Sequence, residues 1–437
     1  MAYKLAYVIF LLYLRPATLR GNPSKVQSQY PATDNHFVKT TKLCKHISFF
    51  CRNICTIDFF VVPLHRILIT TIFVTTFFVI TKHMENPFKF GSIVEDEFFT
   101  DRVQETEYIC HYLQSRNHLV LISPRRFGKS SLVLKAVKKV DRPYIQLNLQ
   151  KVTSIADFAA KLLREIYNTH TWTKIKDQVM RFRVIPTITT NQVTGAIEVG
   201  FQPTQDQRVL LEDVFALMEN AHTESDRLVV ILDEFQEIRA ISPLLEKTLR
   251  AIMQEQKHIN YILLGSQESM MTDIFENVQS PFYHFGGLMR LKKLPREEFE
   301  EYLRTRFEPV FHAQAADLTQ QVLDYTQCHP YYTQELAFYM WQVGMWEKKK
   351  ENVKQTAIRE IIDAYDLSYE RIWMNFNRTD MWVLQRLAAH AELQTGEYRT
   401  STIYSALKRL QHAGHVIYTD RFELEDPFFG EWLVAKH

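Results

Sequence analysis

Four short, mainly apolar runs punctuate the chain between residues 118 and 264. His118–Ser123 (HLVLIS) and Arg227–Leu232 (RLVVIL) predict buried strands, Pro143–Leu149 (PYIQLNL) a further strand and Asn260–Leu264 a hydrophobic one. Helical spacing over Leu132–Val140 follows the first of them closely. Residues 182–202 instead alternate apolar and polar positions around Thr194-Gly195, predicting a β-hairpin inserted between core elements. Further on the period becomes helical: Pro295–Glu308, Ala316–Gln327, Tyr331–Glu347, Met381–Ala391 and Ser401–His412. Gly414 stops the last helix, and His415–Tyr418 with Arg421–Leu424 predicts a small hairpin after it.

At 437 residues the chain has room for roughly three domains. Its 46% hydrophobic content supports real cores and excludes a mainly disordered chain. Five cysteines are too few for a disulfide-dense scaffold. A net charge of +2 argues against a globally basic nucleic-acid binder. That average conceals a break at Met84. Residues 1–83 hold ten basic and two acidic residues, leaving 42 basic and 48 acidic for the remainder. Cys110 and Cys328 are the only cysteines after the break, which suits a reducing, cytoplasmic compartment.

Three readings stay open for residues 1–83. The 15-residue uncharged run Ile67–Thr81, extended back to Phe59, suggests a membrane anchor, although about 20 apolar residues are needed to span a bilayer. Otherwise the stretch is a poorly ordered extension, or synthesis begins at Met84. Ala6–Leu14 imitates a signal-peptide core but lacks a small-residue cleavage site after it. Cys44, Cys51 and Cys55 fit no common zinc-ligand spacing.

The candidate chemistry begins where the first strand ends. Ser123-Pro124-Arg125-Arg126-Phe127-Gly128-Lys129-Ser130-Ser131 follows a strand and opens a helix, the context of a phosphate-binding loop. Loop amides and the helix N-terminus favour anionic phosphates. Lys129 is placed to reach β- and γ-phosphates, and Ser130 to supply an oxygen to Mg²⁺. Ser123 stands where the G-x4-G-K-[ST] pattern has glycine, which raises a question about loop geometry. The strand Arg227–Leu232 ends in Asp233-Glu234. Acids at a core strand's carboxyl end face the same phosphates, Asp233 toward Mg²⁺ and Glu234 toward an attacking water. Asn260–Leu264 ends in Gly265-Ser266-Gln267, whose polar tip is suited to sensing a γ-phosphate.

Together these residues resemble the archaeal-type ATPases within the STAND class of P-loop NTPases. SPRRFGKSS resembles their P-loop, VVILDEFQ their Walker B strand and LLGSQESMM their sensor strand. Asn86–Gly91 and the box Phe99-x-x-Arg102-x-x-Glu105 resemble the segment that opens the domain beside the adenine, a start that favours Met84 as the beginning. Cys328-His329-Pro330 resembles the lid's G-x-P motif near the base, with Cys328 in place of glycine. Glu425-Asp426-Pro427-Phe428-Phe429 to Trp432 resembles the family's closing motif.

The resemblance implies ATP and Mg²⁺ as ligands and an additional-strand parallel α/β core over residues 84–293. A helical lid over 294–376 and a winged helix over 377–437 would follow. It implies a switch in which nucleotide state is transmitted to an unidentified protein partner, with nucleotide-dependent self-association as one outcome. A non-hydrolysing scaffold and a DNA-binding regulator are the alternatives. Lys408 and Arg409 face outward for DNA, but residues 378–437 carry seven basic against eight acidic residues, a poor electrostatic footprint. Arg290 is read as a surface ion pair, with a phosphate-sensing arginine as the alternative, and Lys348–Asn352 as a solvated turn.

Overall fold

The computed structural model describes residues 85–91, 102–169, 172–191, 197–202, 206–346 and 352–437. The readings of residues 1–83, the Thr194-Gly195 turn and most of the Lys348–Asn352 turn lie outside these. Glu85–His437 forms one compact unit. None of its described helices is long and apolar enough to cross a membrane.

In chain order the first elements are α1 (Val103–Gln114), β1 (Leu119–Ile122), α2 (Lys129–Lys139), β2 (Tyr144–Asn148), α3 (Ile155–Thr169) and α4 (Trp172–Val179). There follow β3 (Thr187–Thr190), β4 (Ile197–Gly200), α5 (Arg208–Ala221), β5 (Leu228–Asp233), α6 (Ile238–Ile241) and α7 (Leu245–Glu255). The core closes with β6 (Ile259–Gly265), α8 (Glu268–Phe275) and β7 (Gly287–Arg290). Strand order is β2-β5-β6-β1-β7, and every pairing is parallel. β6 therefore separates β1 from β5, the additional-strand arrangement.

The apolar runs are continuous because both faces of the sheet are covered. Period-two alternation sorts the side chains. Val120, Ile122, Val230 and Leu232 join the core beneath α3, α5 and α7, whereas Leu119, Leu121, Val229 and Ile231 meet α1 and α2. β3 and β4 pair antiparallel as an insert, with Ile188 and Val199 turned onto the core.

A second core is helical: α9 (Arg296–Phe311), α10 (Ala315–Thr326), α11 (Pro330–Trp346) and α12 (Val353–Met374). It is continuous with α13 (Arg378–Ala388), α14 (Thr400–Ala413), the antiparallel pair β8 (Val416–Tyr418) and β9 (Phe422–Leu424), and α15 (Pro427–Lys436). The α13 helix starts three residues before the Met381 expected from periodicity, because Asn377 caps it by accepting from the Asp380 amide at 3.0 Å. The opening segment packs on this helical core. Phe88 lies 5.1 Å from Phe307, Phe90 meets Tyr331 and Phe338 edge-on, and Asn86 donates to the Phe338 carbonyl.

Candidate active site at the strand ends

Gly128 holds φ +82° immediately before α2, a left-handed conformation that is strained for any other residue. It lets the chain turn from β1 into a helix whose first residue is Lys129. Arg126 also has positive φ, at 64°. Ser123 does not, so replacement of the usual glycine there leaves the turn intact. Ser123 is fully buried and its amide donates to the Gly265 carbonyl, tying the loop to β6.

Register carries the remaining groups to the same sheet edge. Ile122 aligns with Gly265, and Asn148 with Asp233. Lys129 is 7% exposed, and its ammonium donates to the carbonyls of Ser123 (3.1 Å) and Pro124 (2.9 Å). Burial lowers its pKa to about 8, against the opposing pull of Glu234 and Asp233. The Ser130 hydroxyl donates to Asp233 Oδ2 at 2.8 Å, while Asp233 Oδ1 accepts from the Glu234 amide at 3.0 Å. Burial raises the Asp233 carboxyl above its ordinary value, and Ser130 counters part of that.

Glu234 occupies a left-handed conformation (φ 53°, ψ 49°) at the start of a 3-10 turn, Phe235–Glu237. Its Oε2 accepts from Ser266 Oγ and from Gln236 Nε2, each at 2.6 Å. Sequence reasoning passed over Gln236. The signal available was its place two residues after Glu234 in LDEFQ. Gln267 caps no amide with its side chain, and its buried Oε1 has no protein partner.

Other expected site residues brace the loop. Arg102 is 2% exposed and donates to the carbonyls of Phe127 (3.3 Å) and Lys292 (2.9 Å) while pairing with Glu105 at 3.1 Å. Burial lowers its pKa, and Glu105 opposes the shift. Arg126 donates to Tyr332 Oη at 2.7 Å, with its guanidinium 4.5 Å from the Tyr331 ring centre. Tyr332 Oη in turn donates to Glu425, which follows β9. Burial pushes the Glu425 carboxyl up to about 7.

Pro330 opens α11 behind the loop, and the preceding His329 ring stands edge-on to Phe127 at 4.8 Å. Gln327 and Cys328 are both left-handed (φ 51° and 59°), so Cys328 adopts the conformation that glycine would favour. Arg125 is exposed, and Ser131 is buried in α2. Arg290 pairs with Glu276, with both side chains about two-fifths exposed. Arg409, about half exposed, pairs with Asp380 at 2.7 Å.

The donor set at Ser130 and Asp233, one hydroxyl and one carboxylate held together, fits an ion that takes few protein oxygens and completes its shell with phosphates and water. Among the described residues no cluster of three or more His, Cys, Asp or Glu could hold a metal by itself.

A family model described as an ATPase domain predominantly from Archaea matches residues 99–336, more than half of the chain. Among solved structures, the Walker-type ATPase Paby2304 of Pyrococcus abyssi aligns at a TM-score of 0.57 with 17% identity, covering 80% of this chain and 99% of that one. The ORC2 protein of Aeropyrum pernix, solved in ADPNP–ADP complexes, aligns at 0.49 with 17% identity, over 80% and 96% of the two chains. No curated protein matches the sequence. With a P-loop and an acidic strand end converging in an additional-strand sheet, the chain belongs to this predominantly archaeal ATPase family and is a P-loop ATPase.

Proposed function

We propose that the protein is a Mg²⁺-dependent switch ATPase of the STAND class, in which a C-terminal winged helix reads the nucleotide state of the P-loop. The carrying observation is the chain of contacts Arg126–Tyr332–Glu425, which joins the crown of the P-loop to the hairpin of residues 416–424. Three modules after Met84 take part: the core to residue 293, the lid over 294–376 and the winged helix over 377–437, built from α13, α14 and the β8–β9 hairpin. Within the loop Ser123–Ser131 the amides that follow Pro124 cradle the phosphates, and Arg102 and Pro330 shape the base-proximal side.

Lys129 exchanges its two carbonyl partners for β- and γ-phosphate oxygens. Ser130 and Asp233 would hold Mg²⁺, which when bound supplies neutralisation of phosphate charge. Glu234 takes a proton from water as the water oxygen bonds to the γ-phosphorus and the bond to the ADP oxygen breaks. Ser266 stands beside Glu234, where it can respond to the γ-phosphate. Ordering by the γ-phosphate is then the signal. The charge balance of residues 378–437 and the Arg409–Asp380 pair favour a protein-facing over a DNA-facing module.

Hydrogen exchange across residues 416–437, with and without Mg·ATP, tests the reading. Exchange there is expected to change on ATP addition, and Lys129→Ala to abolish ATP turnover together with that change. An ATP-insensitive module, or full turnover in Lys129→Ala, overturns it.

A further inference from the structure

We propose that Gln236 is a positioning residue for hydrolysis: with Ser266 it clamps one oxygen of Glu234, leaving the other to receive the proton of water. The inference rests on the assignment of Glu234 as the water-activating group and goes beyond it by naming what aims that group.

Three observations carry it. First, both donors converge on the same atom. Gln236 Nε2 and Ser266 Oγ each lie 2.6 Å from Glu234 Oε2, and Oε1 receives neither. Two charge-assisted bonds outweigh the rotamer freedom of a glutamate side chain, whereas a single one roughly balances it. The orientation of Glu234 therefore depends on the pair.

Second, the two donors come from rigid and separate supports. Ser266 directly follows the buried strand β6, and Gln236 lies in the 3-10 turn, itself 1% exposed. Phe235 anchors that turn in the core, 5.1 Å from Phe282 and 5.5 Å from Phe275. A group aimed from such supports keeps its direction.

Third, the arrangement is maintained against local cost. Glu234 carries a left-handed backbone without being glycine, and the buried Oε1 of Gln236 has no hydrogen-bond partner in the protein. A methionine of similar length would fill the same space without an unpaired carbonyl. Strain and unpaired polar atoms of this kind concentrate where orientation has a function.

The test measures ATP affinity, KM and kcat for Gln236→Met, Glu234→Gln and the double variant of the full chain. Gln236→Met is expected to lower kcat roughly 10–100-fold with ATP affinity and melting temperature retained, the size of effect that misaiming a catalytic group produces. In the Glu234→Gln background the same substitution is expected to add no further loss, because the group it aims is already gone. Ser266→Ala, which removes the second donor, should reproduce the kcat loss and serves if Gln236→Met does not fold. The proposal is overturned if Gln236→Met raises KM with kcat intact, or lowers residual Glu234→Gln turnover by the factor seen in the parent. Should Glu234→Gln keep full turnover, the assignment of Glu234 falls. Should it lose turnover while Gln236→Met and Ser266→Ala do not, only the clamp falls.

Discussion

The Ser130 hydroxyl donates to the Asp233 carboxylate across 2.8 Å, joining the first turn of α2 to the tip of β5 from positions 103 residues apart. A parallel sheet brings this about, since the carboxyl ends of β1 and β5 open on the same edge. The pair forms a small oxygen-rich corner beside the P-loop ammonium.

Asp233→Asn keeps the shape of that corner and removes its charge. The Mg²⁺ concentration giving half-maximal ATPase rate should rise about 10–100-fold, the loss expected when a carboxylate that would help to hold the ion is neutralised. A Mg²⁺ titration of turnover checks this, and an unchanged requirement would separate Asp233 from the ion.

Tyr332→Phe removes a single oxygen that accepts from Arg126 and donates to Glu425. Loss of this buried bridge should cost about 1–2 kcal/mol of stability. It should also speed amide exchange over Val416–Leu424. Denaturant midpoints and exchange rates measure the two effects. Parental values for both would mean that the hairpin is held by packing alone.

Glu335 supplies a pH signature. It is 1% exposed, and burial lifts its carboxyl to about 7 although Tyr365 donates to it at 2.8 Å. Asp426 and Glu425 add repulsion, and Arg126 opposes them. A carboxyl raised above its ordinary 4.5 binds its proton more tightly in the folded chain. Its contribution to stability is complete below about 4.5 and is withdrawn as pH rises through about 7. Glu335→Gln should therefore melt a few degrees higher than the parent at pH 8, and the two should converge near pH 5. Paired thermal melts across that range decide the matter. A gap that does not vary with pH would rule out Glu335 as its source.

Legibility followed the range of the interactions. Strands β1, β5 and β6 and the loop Ser123–Ser131 could be read because each is a local pattern: an apolar run, then a turn, then a helix or an acid. Lys129, Ser130, Asp233 and Glu234 follow from the same context. For Gln236 the local signal is only its place two residues after Glu234, and its hydrogen bond to that side chain exists only once the 3-10 turn has folded. The Tyr332–Glu425 contact spans 93 positions, and neither residue carries a local signal for it. The contacts of the Arg102 guanidinium with the Phe127 and Lys292 carbonyls also carry no local signal. Sequence spacing gives no direction for a long side chain. Periodicity alone places the start of α13 at Met381, whereas the Asn377 cap sets its first turn at Arg378.

The placement of Phe88 and Phe90 bears on how the chain becomes a protein. Asn86 and Phe338 are 252 positions apart, so the earliest described residues find their neighbours only after the whole nucleotide core has been synthesised. A fragment ending before α9 would leave Phe88 without Tyr302 and Phe307 and Phe90 without Tyr331 and Phe338, and one beginning at residue 294 would lack both rings. The helical core is therefore completed from both sides of the nucleotide-binding sequence, its opening segment made before that sequence and its helices after it.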